Sequence, residues 1–358
     1  MATYTHTRQD RYSSLVLAKL RQELVLKDGI VFNNDYEGSP TAGAVKVPVR
    51  DTEVVAGNYE PATGINLSSG STTYKTITIN RDKAVNEIID GYEADSVPDN
   101  LVADRLDSAA FSLAESIDTD GASVLLAGGT KDNFPLITKD NAYSAMVDLR
   151  TRMSKAKVPN DGRRYALVTP DFFALLLKSP EFISSSNLGD AVKQSGAIGS
   201  IAGFNLYEWN DSTANLRCIA GHPRFATRVN EWKVPVSLNP LSNVYIGASA
   251  VQGRMVYAHD VLRAAAIRIL FSPAALTITL AQGATTGTTD ISTSAVTGTA
   301  MYRVNPATRV VYDQGTTGFT AITTDPAVSV GDVIEVVDFA SSKAVAVGYA
   351  TVTADVIK

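Results

Sequence analysis

The feature that most constrains the fold is a long β-rich stretch over residues 45–82. Its two arms, VKVPVRDTEVV and TTYKTITINRD, alternate apolar and polar residues, and the segment between them, AGNYEPATGINLSSGS, is rich in Gly, Ser and Asn. This pattern predicts a two-stranded ribbon with a polar tip. Because an isolated two-stranded ribbon is only marginally stable in water, it must lie on a surface. That surface belongs either to its own domain or, as we expect, to another molecule.

Helical patterns stand on both sides of the ribbon. Residues 9–28 place apolar side chains at helical spacing up to Gly29, which predicts a short amphipathic helix that must dock on its own domain or elsewhere. After the ribbon, Asp95 and Ser96 resemble the capping residues of a helix start. The apolar repeat that follows predicts a helix running to Gly128, about 45 Å long at 1.5 Å per residue.

Residues 141–271 have the pattern of a compact α/β domain. A helix ending before Pro159 is followed by the buried strand YALVT, the helix PDFFALLLKSP and a loop rich in Ser, Asn and Gly at 184–200. The strand candidates after that loop are FNLYEW, LRCIA, WKVPVSL, NVYIGAS, GRMVYA and AAAIRIL. Strands mixed with helices in this way predict one sheet covered by helices.

The composition changes after about residue 273. Residues 274–358 contain four basic and seven acidic residues, are dense in Thr, Val, Ala and Gly, and show no helical pattern. The strand candidates are LTITLA, DISTSAV, AMYRV, RVVYD, TAIT, DVIEVV and AVAVGYATV. Their spacing predicts a second domain, a small β-sandwich or barrel of immunoglobulin-like size, joined by a short linker.

Charge and cysteine content exclude several classes of protein. The net charge is -5 and the pI is about 5.3, which argues against wrapping nucleic acid through neutralised phosphates. Cys218 is the only cysteine, so no intrachain disulfide can form. No stretch approaches the roughly 18 uncharged apolar residues of a membrane span. We expect a protein without membrane contact that touches DNA only weakly and non-specifically.

The sequence contains no motif of a common enzyme active site. Phosphate-binding glycine loops, zinc-binding His pairs and nucleophile elbows are all absent. Cys218 and His222 are four residues apart, but a free cysteine usually packs as a small apolar side chain. Acidic residues scattered over 87–120 fit the solvated or interfacial faces of a long helix. We therefore predict no catalytic, cofactor-binding or metal-binding residue, and no enzyme.

Two stretches resemble the HK97-type major capsid proteins of tailed bacteriophages. The first is YKTITINRDKAVNEIIDGYEADSVPDNLVADRLDSAAFSLAESID, and the second is YALVTPDFFALLLKSPEFI followed by GAIGSIAGFNLYEWN. The resemblance implies an α+β fold with the parts in a fixed order. These are an N-terminal arm at 1–44, an extended loop at 45–82, a peripheral domain with a spine helix at 83–140, an axial domain with closing strands at 141–272, and an added immunoglobulin-like domain at 273–358.

The resemblance also implies the function. Such a chain would assemble in the host cytoplasm into hexameric and pentameric capsomers, aided by scaffold and portal proteins, and would become the virion shell around double-stranded DNA. The loop at 184–200 would lie toward the centre of the capsomer. Two alternatives remain open at this point: an encapsulin-like nanocompartment, which has the same fold, and a surface adhesin, which residues 274–358 alone would suggest.

Contacts between subunits are expected along the ribbon, because its side chains have no core of their own to enter. The residues expected to touch an adjacent subunit are Tyr59, Ile65, Leu67 and Tyr74. Charge pairs that set the register between subunits are expected from Arg50, Asp51, Glu53, Arg81 and Asp82.

Overall fold

A computed structural model describes residues 21, 24–39, 43–49, 54, 56–62, 64–65, 70, 72–96, 101–180, 199–242 and 245–358. The helices of this part of the chain are α1 (Gly91–Ser96), α2 (Leu101–Gly128), α3 (Ala142–Lys155) and α4 (Pro170–Leu177). The first strands are β1 (Ala44–Val49), β2 (Thr73–Thr78), β3 (Arg81–Asp90), β4 (Thr130–Asn133), β5 (Tyr165–Val168), β6 (Ser200–Ile201), β7 (Phe204–Glu208), β8 (Leu216–Gly221), β9 (Ala226–Pro240) and β10 (Ala248–Val261). The remaining strands are β11 (Arg268–Phe271), β12 (Ala274–Ala275), β13 (Ile278–Gln282), β14 (Thr289–Thr293), β15 (Thr299–Val304), β16 (Thr320–Ala321), β17 (Val333–Ala340) and β18 (Lys343–Thr351).

The chain divides into two compact units. Unit 1 holds the described residues within 1–28, 34–123 and 227–260, and unit 2 holds those within 29–33, 124–226 and 261–358.

Unit 1 is built on an antiparallel sheet in the order β3-β10-β9. Strand β3 alternates more buried and more exposed residues, as a strand with one covered face does. The covered face packs against the start of α2, which confirms the predicted long helix and its end at Gly128. The buried residues of this core are Ile89, Ala109 and Val251, bordered by Val85, Ala94, Leu101, Val102, Leu106 and Val236.

Two predictions at the ends of helices need correction. Asp95 and Ser96 do not cap α2, because both belong to the separate short helix α1, and residues 97–100 lie outside the described part of the chain. Most of the predicted N-terminal helix also lies outside it, but residues 24–28 are described and are not helical. There the Leu26 N–H donates to Asp118 Oδ2 at 3.3 Å and the Leu26 carbonyl accepts from Arg228. Side chains thus satisfy the backbone groups that a helix would have satisfied.

The predicted ribbon is confirmed as the antiparallel hairpin β1-β2, with Ala44 opposite Thr78 and Val49 opposite Thr73. Its second arm is shorter than predicted. Ile79 and Asn80 interrupt the arm, and the next residues begin β3, which pairs with β10 in the sheet of unit 1. Arg81 and Asp82 therefore lie in that sheet and not on the ribbon.

Unit 2 contains a six-stranded sheet in the order β4-β11-β8-β5-β7-β6. Helices α3 and α4 bury Met146, Leu149, Phe172 and Leu176 in a core shared with this sheet, so the predicted strand and helix pattern is confirmed here. The placement of WKVPVSL, NVYIGAS and GRMVYA in the same sheet is wrong, because β9 and β10 pair with β3. The predicted loop at 184–200 falls almost wholly outside the described residues.

Residues 274–358 form a five-stranded sheet, β12-β18-β17-β15-β16, and a two-stranded sheet, β13-β14. A common core with Leu276, Ile291, Ile334 and Val336 joins them, as a β-sandwich requires. Six of the seven predicted strands are present. The exception is RVVYD, where Val310 N–H donates to a Glu335 carboxylate oxygen at 3.0 Å instead of entering a sheet. The immunoglobulin-like assignment stays a prediction.

This C-terminal domain is fastened to the six-stranded sheet within unit 2. Only Ser272 and Pro273 separate β11 from β12. Ser272 Oγ donates to the Pro135 carbonyl at 3.0 Å and accepts from the Ile137 N–H at 3.0 Å. Phe271 stacks on Tyr312 with ring centroids 5.1 Å apart, and the Tyr312 N–H donates to the Phe134 carbonyl at 3.0 Å. A short linker is present as predicted, but hydrogen bonds of Ser272 and the stacking of Phe271 on Tyr312 hold it in place.

Candidate functional site

The candidate site is the hairpin β1-β2 together with the residues that hold its base. Of the four apolar residues predicted to contact a neighbour, three are described, and all three are exposed: Tyr59 is 71% exposed, Ile65 is 50% exposed and Tyr74 is 65% exposed. Leu67, Arg50, Asp51 and Glu53 lie outside the described residues. Large apolar side chains at these exposures add nothing to the core of their own subunit, so the hairpin is suited to contact another molecule.

The base of the hairpin is held by its own unit. Val47 and Ile77 are buried, and the Ile79 N–H donates to the Gly43 carbonyl at 3.2 Å. Lys75 Nζ lies 3.0 Å from Asp260 Oδ1 on β10. The hairpin is thus rooted at one end and exposed toward the other.

The two remaining predicted contact residues have partners in their own chain. Arg254 donates to both carboxylate oxygens of Asp82, at 2.8 and 2.5 Å, and this pairing lowers the pKa of Asp82. Arg81 Nη1 lies 3.7 Å from Asp120 Oδ1 on α2. These pairs fix the start of β3, so a role of Arg81 and Asp82 in setting the register between subunits stays a prediction.

A buried polar cluster, missed by sequence reasoning, roots the N-terminal segment beside the hairpin. Arg228 on β9 donates to the Leu26 carbonyl at 2.8 Å and to His259 Nε2 at 2.9 Å, and it lies 3.0 Å from Asp28. His259 neighbours Asp260, the partner of Lys75, on β10. The N-terminal segment and the hairpin are therefore held by consecutive residues of one strand. Both strands also contain other polar and charged residues, such as Glu231 on β9 and Arg254 on β10, so no signal in the sequence singled out Arg228 and His259.

The cluster shifts the protonation of His259. Burial lowers the pKa of His259 to about 3, with further contributions from the positive charges of Arg228 and Arg81. The folded state therefore favours the neutral ring. Above the ordinary value of 6.5 both states are neutral and the shift has no effect. Below pH 6.5 His259 binds a proton in the unfolded state but stays neutral in the folded state. The free energy of unfolding therefore decreases as the pH is lowered from 6.5 to about 3.

We expect the effect of His259 on the free energy of unfolding to be measurable between pH 7 and pH 5. Unfolding free energy should fall by about 2 kcal/mol over this range, and His259→Gln should remove most of that loss. Asp82, Asp161, Asp332 and Asp355 have lowered pKa values and contribute only near and below 3.8, whereas the raised pKa of Asp118 acts with the opposite sign. Urea unfolding at the two pH values measures the effect.

The matched control is His6→Gln, in the polar N-terminal stretch, which should keep the pH dependence of the wild type. Equal slopes for the wild type and His259→Gln would contradict the assignment to His259.

The structure gives Cys218 and His222 separate roles. Cys218 is fully buried, and burial raises the pKa of its thiol. His222 Nε2 lies 2.9 Å from Asp161 Oδ1, and its Nδ1 accepts from the Arg224 N–H at 3.2 Å. Within the described ranges, no group of three or more His, Cys, Asp or Glu side chains could hold a metal ion. None of the helices described there is long and apolar enough to span a membrane.

Residues 71–232 match the phage capsid protein family. Among solved structures, a protein of Mycobacterium phage Che8 is similar over 75% of this chain and 98% of its own, with 21% identity and a TM-score of 0.63. The capsid of cyanophage P-SCSP1u matches over 74% and 92%, with 14% identity and a TM-score of 0.62. The mature capsid of bacteriophage PhiM1 matches over 74% and 92%, with 12% identity and a TM-score of 0.60. No curated protein matches the chain.

Proposed function

We infer that this chain is a major capsid protein with the HK97-type fold, which assembles with copies of itself into the shell of a tailed bacteriophage. The observation that carries this function is the match of residues 71–232 to the phage capsid family, on a chain whose hairpin and spine helix have the expected form. An encapsulin-like compartment is not favoured, because the matching family is that of phage capsids.

The exposed hairpin supports a role in assembly. Its base is fixed by the Lys75–Asp260 pair, whereas Tyr59, Ile65 and Tyr74 are available to an adjacent subunit. A shell needs contacts that are individually weak, so that wrongly placed subunits can leave again. A hairpin lying across a neighbour adds area without one large rigid interface. We place Leu67, Arg50, Asp51 and Glu53 in the same proposed contact, with Arg81 and Asp82 at its edge.

Further partners follow from this role. Subunits would form hexameric and pentameric capsomers in the host cytoplasm, with scaffold and portal proteins, and the shell would enclose double-stranded DNA. A net charge of -5 supports loose, non-specific contact with that DNA. The proposed role is structural and requires neither catalysis nor a cofactor.

Electron microscopy of the purified, expressed chain tests the function. We expect closed shells of uniform size. Monomers or small oligomers at every concentration would contradict a shell protein, and monomers that bind glycans would instead favour the adhesin. Shells enclosing a cellular protein cargo would favour the encapsulin-like compartment.

The C-terminal domain is proposed to project from the outer face of the shell. The Che8 structure matches 98% of its own length but leaves a quarter of this chain unmatched, and residues 274–358 are about that large. Their four basic and seven acidic residues give a charge of -3, which is unfavourable beside packed DNA. The alternative is that the domain lies on the inner face of the shell and contacts neighbouring subunits there.

Thiol labelling separates the two faces. Cys218 is fully buried, so Val330→Cys introduces a thiol that reagents can reach, at a side chain that is 64% exposed. After reaction with a biotin maleimide, streptavidin should bind intact particles, because it is too large to enter them. Binding only after the particles are disrupted would place the domain inside.

A further inference from the structure

Positive charge is concentrated at one corner of unit 2, which we call the basic corner. It consists of residues 150–164, that is the end of α3 and the turn after it, together with the turn at 202–203 between β6 and β7. Six of the fifteen residues from 150 to 164 are Lys or Arg, in a chain whose net charge is -5. The exposed cations are Arg150, Arg152, Lys155, Lys157 and Arg163. Arg152 is paired with Asp132 at 2.7 Å, so the other four are the ones that could meet a ligand.

Buried Arg164 holds the basic corner together. Its guanidinium donates to the Pro159 carbonyl at 2.8 Å and to Ser154 Oγ at 3.3 Å. Its own carbonyl accepts from the Asn205 N–H on β7 at 2.8 Å. The end of α3 and the turn that follows it are therefore fixed beside one edge of the six-stranded sheet.

Two arginines lie close together in this corner. A Cβ on Gly203 would be 3.6 Å from Arg150 Cζ, which places the Arg150 guanidinium on the turn between β6 and β7. Burial lowers the pKa of Arg164, and the positive charge of Arg150 lowers it further. The one acidic residue of the stretch, Asp161, is bonded to His222 Nε2 at 2.9 Å. Because the two guanidinium charges repel each other, an anion bound at the corner would stabilise both.

The backbone at Lys157 does not account for a lysine. Lys157 follows α3 with a φ of 59°, in the left-handed region where glycine is the usual residue. Its side chain is exposed, and so is that of Lys155 at the end of the helix. The positive charge of Lys157 is thus a better explanation of this residue than its conformation.

The exposed side chains of the basic corner suit phosphate groups better than a protein surface. Contacts between proteins are centred on aromatic and other large apolar side chains. Within residues 150–164, all of which the structure describes, no large apolar side chain is exposed. Interfaces with DNA are more polar and more positively charged. The path from Arg150 to Lys157 spans about 10 Å, and the same length of duplex carries about six phosphate charges.

The acidic C-terminal domain is fastened at the other edge of the same sheet. Ser272, which precedes the domain, donates to the Pro135 carbonyl beside β4 and β11. The basic corner lies beside β6 and β7, and three strand spacings, about 14 Å, separate β11 from β7. The attachment of the domain and the basic corner are therefore apart.

We propose that the basic corner is the surface through which each subunit contacts double-stranded DNA, by ion pairs with phosphate groups and without reading the base sequence. The inference rests on the proposed function, because the DNA is that enclosed by the shell, and it assigns the residues of the contact. Four cations keep the contact of one subunit weak. Repetition on every subunit makes the total attraction large.

Fluorescence anisotropy with a short labelled DNA duplex of arbitrary sequence tests the proposal on the full-length chain, below the concentration at which it assembles. With about four phosphate contacts, the affinity of the wild type should fall about 100-fold between about 50 and about 200 mM salt. The variant Lys155→Gln/Lys157→Gln/Arg163→Gln should bind at least about tenfold more weakly at the lower salt concentration and lose only about fourfold over the same range.

The matched control is Lys139→Gln/Lys343→Gln/Lys358→Gln, which removes the same charge at exposed residues of unit 2 and should bind like the wild type. Equal binding by the two triple variants, or no binding by the wild type at low salt, would overturn the proposal. Unchanged DNA binding with a higher concentration needed for assembly would make the corner a contact between subunits and would overturn it as well. Because the binding is measured on unassembled subunits, this failure is distinct from a failure to form shells.

Acetylation of lysines in the wild-type chain gives a second readout that needs no variant. Saturating duplex should slow the acetylation of Lys155 and Lys157 severalfold, because phosphates cover their ammonium groups, and should leave the rate at Lys139 unchanged. Mass spectrometry of the peptides measures the three rates. Equal rates with and without DNA, or equal slowing at all three lysines, would overturn the assignment to the basic corner.

Discussion

A chain that lacks residues 60–72 is expected to fold normally and to form no closed shells. The deletion removes the tip of the hairpin but leaves the paired strands β1 and β2, the buried residues Val47 and Ile77 and the Lys75–Asp260 pair in place. The tip residue Ile65 is half exposed, so its loss costs the isolated subunit little. In a shell the same loss recurs at every subunit, which makes assembly fail as a whole. Electron microscopy and sedimentation measure the result.

Point variants sharpen this experiment. Tyr59→Ser with Tyr74→Ser removes two exposed aromatic side chains without shortening the chain, and we expect it to raise the concentration needed for assembly severalfold. Val330→Ser, which removes an exposed apolar side chain of the C-terminal domain, is the matched control and should assemble like the wild type. Normal shells from the deleted chain would contradict a role of the hairpin tip in subunit contacts.

Replacing Arg303 by Met is expected to destabilise the C-terminal domain by about 3–5 kcal/mol. Glu335 is fully buried, and its charge is compensated by the Arg303 guanidinium and by the Val310 N–H at 3.0 Å. Arg303 also donates to the Thr308 carbonyl at 2.6 Å and lies 4.5 Å above the Phe319 ring. Without it, a carboxylate remains in the core with no neutralising partner. Thermal unfolding and protease sensitivity of residues 274–358 measure the loss.

A double variant separates charge from packing. Arg303→Met with Glu335→Gln removes the buried charge together with its partner, and it should recover part of the lost stability. Lys343→Met breaks the exposed pair with Asp313 and should leave the melting temperature unchanged. If Arg303→Met melts like the wild type, the pair does not hold this domain together.

Local patterns predicted much of the fold. The alternation around Val47 and Ile77 identified the hairpin, and the run YALVTPDFFALLL identified β5 and α4, because the residues that decide these elements are adjacent in sequence. The partner of a strand is not a local property. Strands β9 and β10 have the pattern of sheet strands, but nothing in that pattern shows that they pair with β3 and not with β5.

The prediction that the N-terminal helix extends to residue 28 was wrong for a related reason. Its apolar spacing is helical through Leu24, but Asp118 and Arg228, distant in sequence, bind the backbone of Leu26 and keep it out of a helix. Interactions of this kind override a local preference of a few tenths of a kcal/mol per residue. No pattern within residues 9–28 could have shown them.

The candidate site was predictable in its exposed part only. Tyr59, Ile65 and Tyr74 stood out as large apolar residues in a segment without a core, and the structure exposes all three. The cluster of Arg228, His259 and Asp28 was not predictable, because its members come from three separate stretches of the chain. It becomes visible only when β9 and β10 are placed side by side.

On the proposed shell, with the C-terminal domain facing outward, the fastening of this domain has a consequence for the display of peptides. With Phe271 stacked on Tyr312 and Ser272 bonded on both sides, a peptide grafted into the loop around Val330 would be carried at a constant angle on every copy. On a particle with many copies, regular spacing and fixed orientation favour multivalent capture by antibodies or receptors. The variant Tyr312→Gly removes the stacking on Phe271. It would leave the number of grafted peptides unchanged but make their orientation more variable.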